Sequence, residues 1–222
     1  MWENVIPFLP RHTWFAGGTI TASAVKYSSH FLKQGHEKFE NGTVNYLDIP
    51  AITNGLNFIN SINIEIISAR IKDLCGSLLY KLSQLRHQNG LPLINIYGPK
   101  NTENRGGTLL LNFFDCQGQQ YPFQDIEQRA NAINISLRTG CFCNPGIDEL
   151  NNDIPVDQLQ HYFTGRDHGD SEDMMQVLGG RRGAVRLSLG IPTTRDDIET
   201  FIRFAEELLN KRIEGDTLPG IT

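Results

Sequence analysis

Two cysteines one residue apart, in a loop with an arginine before them and glycines on either side, are where chemistry concentrates in this sequence. The loop reads Arg138-Thr139-Gly140-Cys141-Phe142-Cys143-Asn144-Pro145-Gly146. A nucleophilic thiol needs exposure, nearby positive charge and a backbone able to approach its target. Arg138 offers the charge, Gly140 and Gly146 the backbone freedom, and Pro145 shapes the exit. Three other readings compete with a reactive thiol. Cys141 and Cys143 could be half of a metal site, but zinc wants a second pair such as Cys-x2-Cys or His-x3-His, and none is visible. They could be a redox pair, although Cys-x-Cys is a strained spacing, or they could be incidental. No metal site is expected. In an extended segment the two side chains would point the same way, an argument that weakens in a loop. One of the two is expected to carry any chemistry.

The elements that must position this loop follow from periodicity. From Ser61, apolar residues recur at three- and four-residue steps (Ile64, Ile67, Ile71, Leu74, Leu78, Leu82 and Leu85), which predicts a long helix to about His87, stopped by Asn89-Gly90. That stripe reads as core or subunit interface. Leu93–Tyr97 and Thr108–Phe114 read as strands, Pro122 to Ile133 as a helix, and Ile135–Leu137 as a short strand delivering the cysteines. A helix is expected near Val156 to Phe163 and a strand over Ala184–Leu189, in which Arg186 stands between core residues. Thr194 with Asp197 predicts a capping box for the last helix. The first sixty residues read as loops and short strands with an apolar helix around Ile52 to Ile59, and Ser28-Ser29-His30 suits an exposed loop. The order from Ser61 implies an α+β fold, helices packed on a small antiparallel or mixed sheet. Residues 1–60 look like the tail of another domain and residues 61–222 like a domain of their own.

Composition narrows the class. At 222 residues and 39% hydrophobic with 12 Phe, the chain can bury a core. A formal charge of −5 and scattered basic residues argue against nucleic acid as a partner. No stretch approaches the ~18 uninterrupted apolar residues of a membrane span, and Met1-Trp2-Glu3-Asn4 lacks the basic start of a secretory signal. Four cysteines are too few for a disulfide framework. Cys75 and Cys116 read as buried core thiols, and a reducing, cytoplasmic location is the expectation.

Four ordered motifs carry a resemblance to a known family. Arg138-Thr139-Gly140-x-x-Cys143 resembles the active-site loop of group II cysteine desulfurases, among the class V aminotransferase-like enzymes that use pyridoxal phosphate (PLP). The longer string through Cys-Phe-Cys-Asn-Pro-Gly is closer to the molybdenum cofactor sulfurases. Trp14-Phe15-Ala16-Gly17-Gly18-Thr19, Phe39-Glu40-Asn41-Gly42-Thr43-Val44-Asn45 and Gly183-Ala184-Val185-Arg186-Leu187-Ser188-Leu189-Gly190 fall in the family's order and rough spacing. The resemblance implies that Cys143 is the nucleophile that takes the substrate's sulfur as a persulfide. It implies that Arg186 binds the α-carboxylate of L-cysteine, and that Thr43 reaches the phosphate of PLP across a dimer interface, with Gly17 and Gly18 approaching the same region. An Arg186 that merely pairs with an acid at a sheet end is the plain structural alternative.

The same resemblance implies a lysine that holds PLP covalently, in a Ser-x-His-Lys setting before the Gly-Gly-Thr motif. The lysines here are Lys26, Lys33, Lys38, Lys72, Lys81, Lys100 and Lys211, all after that motif and none in that setting. The chain is therefore expected to be the C-terminal small domain of a fold-type I PLP enzyme plus the tail of its large domain, an α/β parent. It would work as a homodimer or with a missing N-terminal half, on an amino-acid substrate, toward an unidentified sulfur acceptor. The alternatives are a non-catalytic dimerisation or sulfur-carrier domain, or another class V activity.

Overall fold

A computed structural model of the chain describes residues 17–40, 42–180 and 182–213. It divides into two compact units. One is built from the described residues up to Asn54 together with Cys141–Gly183, the other from Gly55–Gly140 and the residues from Ala184 on. Trp14, Phe15, Ala16 and Asn41, which belong to the motifs above, lie outside the described residues.

The second unit is a sheet with helices on one face. Strands β3 (Ile94–Tyr97), β4 (Thr108–Phe113), β5 (Arg138–Gly140) and β6 (Ala184–Ser188) stand in the order β3-β4-β6-β5, every neighbour antiparallel. Alternation along the strands separates the two faces. Ile94, Ile96, Leu109, Leu111, Phe113, Val185 and Leu187 enter one core, whereas Asn95, Tyr97, Asn112 and Arg186 occupy the alternate positions. Helix α2 (Ile64–Gln84) adds Leu74, Leu78 and Leu82 to that core, α3 (Phe123–Asn131) adds Ile126 and Ala130, and α7 (Arg195–Glu206) adds Ile198, Phe201 and Ala205. The α+β class expected from the element order is what the chain adopts. The capping box is present, with the Thr194 hydroxyl accepting from Asp197 N–H and the Asp197 carboxylate accepting from Thr194 N–H at 2.8 Å.

The expected elements shift at their edges. The long helix begins at Ile64, and Asn63 caps it by accepting the Glu65 N–H at 2.8 Å. Ile67, Leu74, Leu78, Leu82 and Leu85 are buried, but Ile64 is exposed and Ile71 half-buried, and the stripe joins the core of this unit only from Leu74. The short strand before the cysteines is Arg138–Gly140, three residues later than its apolar letters suggest, because ladder pairing with β6 defines it. Cys75 is buried as expected; Cys116 is only partly so.

The first unit packs a hairpin against short helices. Strands β1 (Ile20–Ala24) and β2 (Ser29–Leu32) pair antiparallel with an irregularity at Thr21, so Ser29 and His30 belong to a strand and not to the loop expected there. Helices α4 (Pro145–Asn151), α5 (Val156–Phe163) and α6 (Ser171–Val177) follow the cysteine loop. Ala22, Ala24, Phe31, Leu159, Tyr162 and Met174 form this unit's core. Helix α1 (Ala51–Ile62) buries no residue, and Leu47 just before it is 91% exposed.

Candidate active site

The cysteine loop joins β5 to α4, and its backbone is bent in an unusual way. Phe142 and Cys143 both have φ of 55°, two successive non-glycine residues in the left-handed region. Such a conformation costs free energy and persists only where its surroundings impose it. Gly140 before them has φ of 109°, which a side chain would resist. The segment is thus not extended, and the argument that Cys141 and Cys143 face the same way does not apply. Cys141 is partly buried; Cys143 is exposed, and both are free thiols.

Immediately after Cys143 the chain becomes helical for local reasons. Asn144 is the N-cap of α4, its side chain accepting from Ile147 N–H, and Pro145 fills the first turn, where a missing N–H does no harm. Gly146 packs close to the hairpin turn: a Cβ there would stand 3.3 Å from Val25 Cγ2.

Helix α4 then presents two acids that composition alone would place at the surface, yet Asp148 and Glu149 are buried. Asp148 accepts from Arg182 Nε and from the Gly183 backbone N–H, both at 2.7 Å. Arg182 also donates to the Met174 sulfur. The Glu149 carboxylate accepts the backbone N–H groups of Val25 and Lys26, each at 2.8 Å, and Lys26 Nζ returns to the carbonyls of Glu149 and Ile154. These residues carry no motif signature, and burial of an acid is not legible from its letter.

Arg138 and Arg186 stand opposite each other in the sheet. They are cross-strand partners in the β5–β6 ladder, so both side chains leave the same face of the sheet. Arg138 is exposed and Arg186 half-buried. Two arginines on one face of the sheet can offer paired donors to a carboxylate. Thr139 between them in sequence is fixed from the other side, its hydroxyl donating to Glu127 at 2.7 Å. Cys141 and Cys143 belong to the other compact unit.

PLP makes two demands. Its phosphate needs open hydroxyl and N–H donors, and Thr43, Gly17 and Gly18 are all exposed. The Thr19 hydroxyl, directly after the two glycines, is buried with no hydrogen-bond partner among the described residues. Its aldehyde needs a free lysine amine, and Lys26 and Lys81 are engaged, the latter with Glu199 at 2.6 Å. The residues present fit the phosphate end of the cofactor. One groove of the second unit, about 780 Å³, is lined by Lys72, Asp73, Lys81, Arg195 and Glu199 and includes neither cysteine of the loop nor Arg138 or Arg186; Lys81 pairs with Glu199 and Arg195 with Asp73.

Comparison with known proteins identifies the family. The family described as Aminotransferase class-V matches residues 8–201. The chain is 33% identical to the molybdenum cofactor sulfurase of Solanum lycopersicum over 89% of its length, and 31% identical to that of Homo sapiens over 88%. It spans about a quarter of the length of these relatives, 24% and 23%. A solved structure titled as an apo cysteine desulfurase from Thermococcus onnurineus NA1 aligns with a TM-score of 0.49 and 21% identity, over 87% of this chain and 38% of that one. The chain belongs to the aminotransferase class-V family.

Proposed function

We propose that the chain supplies the sulfur-accepting thiol and the carboxylate clamp of a PLP-dependent cysteine desulfurase-like enzyme. The observation that carries the reading is the exposed Cys143 thiol, held on two successive left-handed residues within Arg-Thr-Gly-x-x-Cys. The names of the relatives support molybdenum cofactor as the sulfur's destination.

When bound, PLP supplies the electron sink that weakens the carbon–sulfur bond of L-cysteine. The chain's own residues do the rest. Arg186, with Arg138 opposite, binds the substrate's α-carboxylate in a planar, two-pronged fashion. Cys143 loses its proton, and the thiolate attacks the substrate sulfur, forming a sulfur–sulfur bond as the carbon–sulfur bond breaks. That bond's electron pair stays with the carbon fragment, which takes up a proton to leave as alanine. Thr43, Gly17 and Gly18 hold the phosphate. The covalent lysine comes from outside these 222 residues, since none of the chain's lysines stands in a Ser-x-His-Lys setting. Free thiols at all four cysteines suit a reducing, cytoplasmic compartment.

Helix α1, which buries no residue and leaves Ile52, Leu56 and Phe58 exposed, supports association with a second copy or with the lysine-bearing portion.

The clamp is tested by competition in the reconstituted enzyme. Carboxylates without a thiol, such as L-alanine, should compete with L-cysteine, and cysteamine, which lacks the carboxylate, should bind far more weakly. Equal binding of cysteamine and L-cysteine would remove the clamp from the account.

A further inference from the structure

The two buried acids of α4 have no part in the chemistry above. We propose that Asp148 and Glu149 are positioning residues that hold the Cys143 loop in its strained conformation. The inference rests on the reading of Cys143 as the sulfur-accepting thiol.

Helix α4 is too short to be stable by itself, so its place depends on what it is tied to. Its buried face carries two carboxylates, and a buried carboxylate is tolerated only where donors fully satisfy it. Glu149 is 0% exposed and receives both N–H groups at the start of the β1–β2 turn. Lys26 closes a ring by donating back to the Glu149 and Ile154 carbonyls, so three hydrogen bonds join the turn to the helix and a fourth reaches the residues just after it. Asp148, one residue earlier, is fixed in a different direction by Arg182 and the Gly183 N–H. Adjacent helical residues point about 100° apart, so the two anchors restrain the helix in rotation as well as translation.

Only Asn144 separates the helix from Cys143, and Asn144 is itself the cap. A fixed α4 therefore leaves Phe142 and Cys143 little conformational choice. Both residues need such an external constraint, because neither has a glycine's tolerance for positive φ. The close approach of Gly146 to Val25 is part of the same contact. A surface helix could have carried the loop with ordinary exposed acids. Burying two adjacent carboxylates here is costly, and holding the loop explains why it is done.

Glu149→Gln keeps the shape of the side chain but turns a donor toward one of the two N–H groups. The test uses the 222-residue chain and iodoacetamide, with the rate at each cysteine read by mass spectrometry. Cys143 in the folded chain should react at a rate different from its rate in urea. In Glu149→Gln that rate should move about ten-fold toward the unfolded value, while Cys75 and Cys116 and the circular dichroism stay unchanged. Asp148→Asn should act the same way. Lys26→Met, which leaves both carboxylates in place, is the second variant should either unfold. In the reconstituted enzyme, Glu149→Gln should lower kcat by about 10- to 100-fold with the KM for L-cysteine unchanged. An unaltered Cys143 rate in all three variants, a native rate equal to the unfolded one, or a loss confined to KM would overturn the proposal. If instead Cys143 proves dispensable for sulfide release while the alkylation contrast holds, the sulfur reading fails and the positioning stands.

Discussion

Arg186 and Arg138 show how much one ladder position can decide. As cross-strand partners they share one face of the sheet, and each should contribute to substrate binding more than to folding. We expect Arg186→Lys to raise the KM for L-cysteine by about 10- to 100-fold, since a lysine cannot reproduce the bidentate fork. Arg138→Ala, at the more exposed partner, should cost less; steady-state kinetics on the reconstituted enzyme checks both. A different residue predicts the acid behaviour of the second unit. Burial pushes the Asp115 carboxyl up, but the N–H groups of Gln119, Ile213 and Gln117 together outweigh that and hold it below the usual carboxylate range. Its contribution to stability is therefore complete above pH ~4 and is lost as pH falls through the depressed native value. Urea melts between pH ~3 and ~7 should show this acid loss, flattened in Asp115→Asn. The letters alone mark the cysteine loop and the in-strand Arg186, and only the family resemblance separates Cys143 from Cys141. Asp148 and Glu149 carry no such mark, because an acid's default is the surface and only three-dimensional donors reverse it.

The elements divide by how far their signals are local. The capping box at Thr194, the helix Val156–Phe163 and the strand at Ala184 declare themselves through spacing alone, and each forms where its residues indicate. The strand delivering the cysteines is offset, because Ile135 and Leu137 supply apolar character while pairing with β6 falls at Arg138–Gly140. The Ser29–Leu32 strand carries a polar start that reads as loop and is made a strand by Ala22, Ser23 and Ala24 across from it. Helices α4 and α6, seven residues each, are too short for a periodic pattern. Gly146 tests the packing of α4. With a Cβ set 3.3 Å from the exposed Val25 side chain, Gly146→Ala obliges that side chain to ease away. We expect a stability change of no more than about 1 kcal/mol, measured by chemical denaturation, and a net gain from the same substitution in a Val25→Ala background.

At the scale of the whole molecule, the chain makes two compact units, yet leaves a run of large apolar side chains uncovered from Val44 to Ile66. Tyr46, Leu47, Ile52, Leu56 and Phe58 are all exposed, more than an isolated chain ordinarily tolerates. Replacing Leu56 and Phe58 with Ser should reduce self-association seen by light scattering while the circular dichroism is kept. Unchanged association would move the interface elsewhere. The central claim is that sulfur passes through Cys143, and mass spectrometry of the reconstituted enzyme after a single turnover with L-cysteine tests it most directly. The account predicts one added sulfur atom on the peptide containing Cys143, lost in Cys143→Ala together with sulfide release and largely retained in Cys141→Ala. Sulfur found on Cys141, or sulfide release that survives Cys143→Ala, would contradict it.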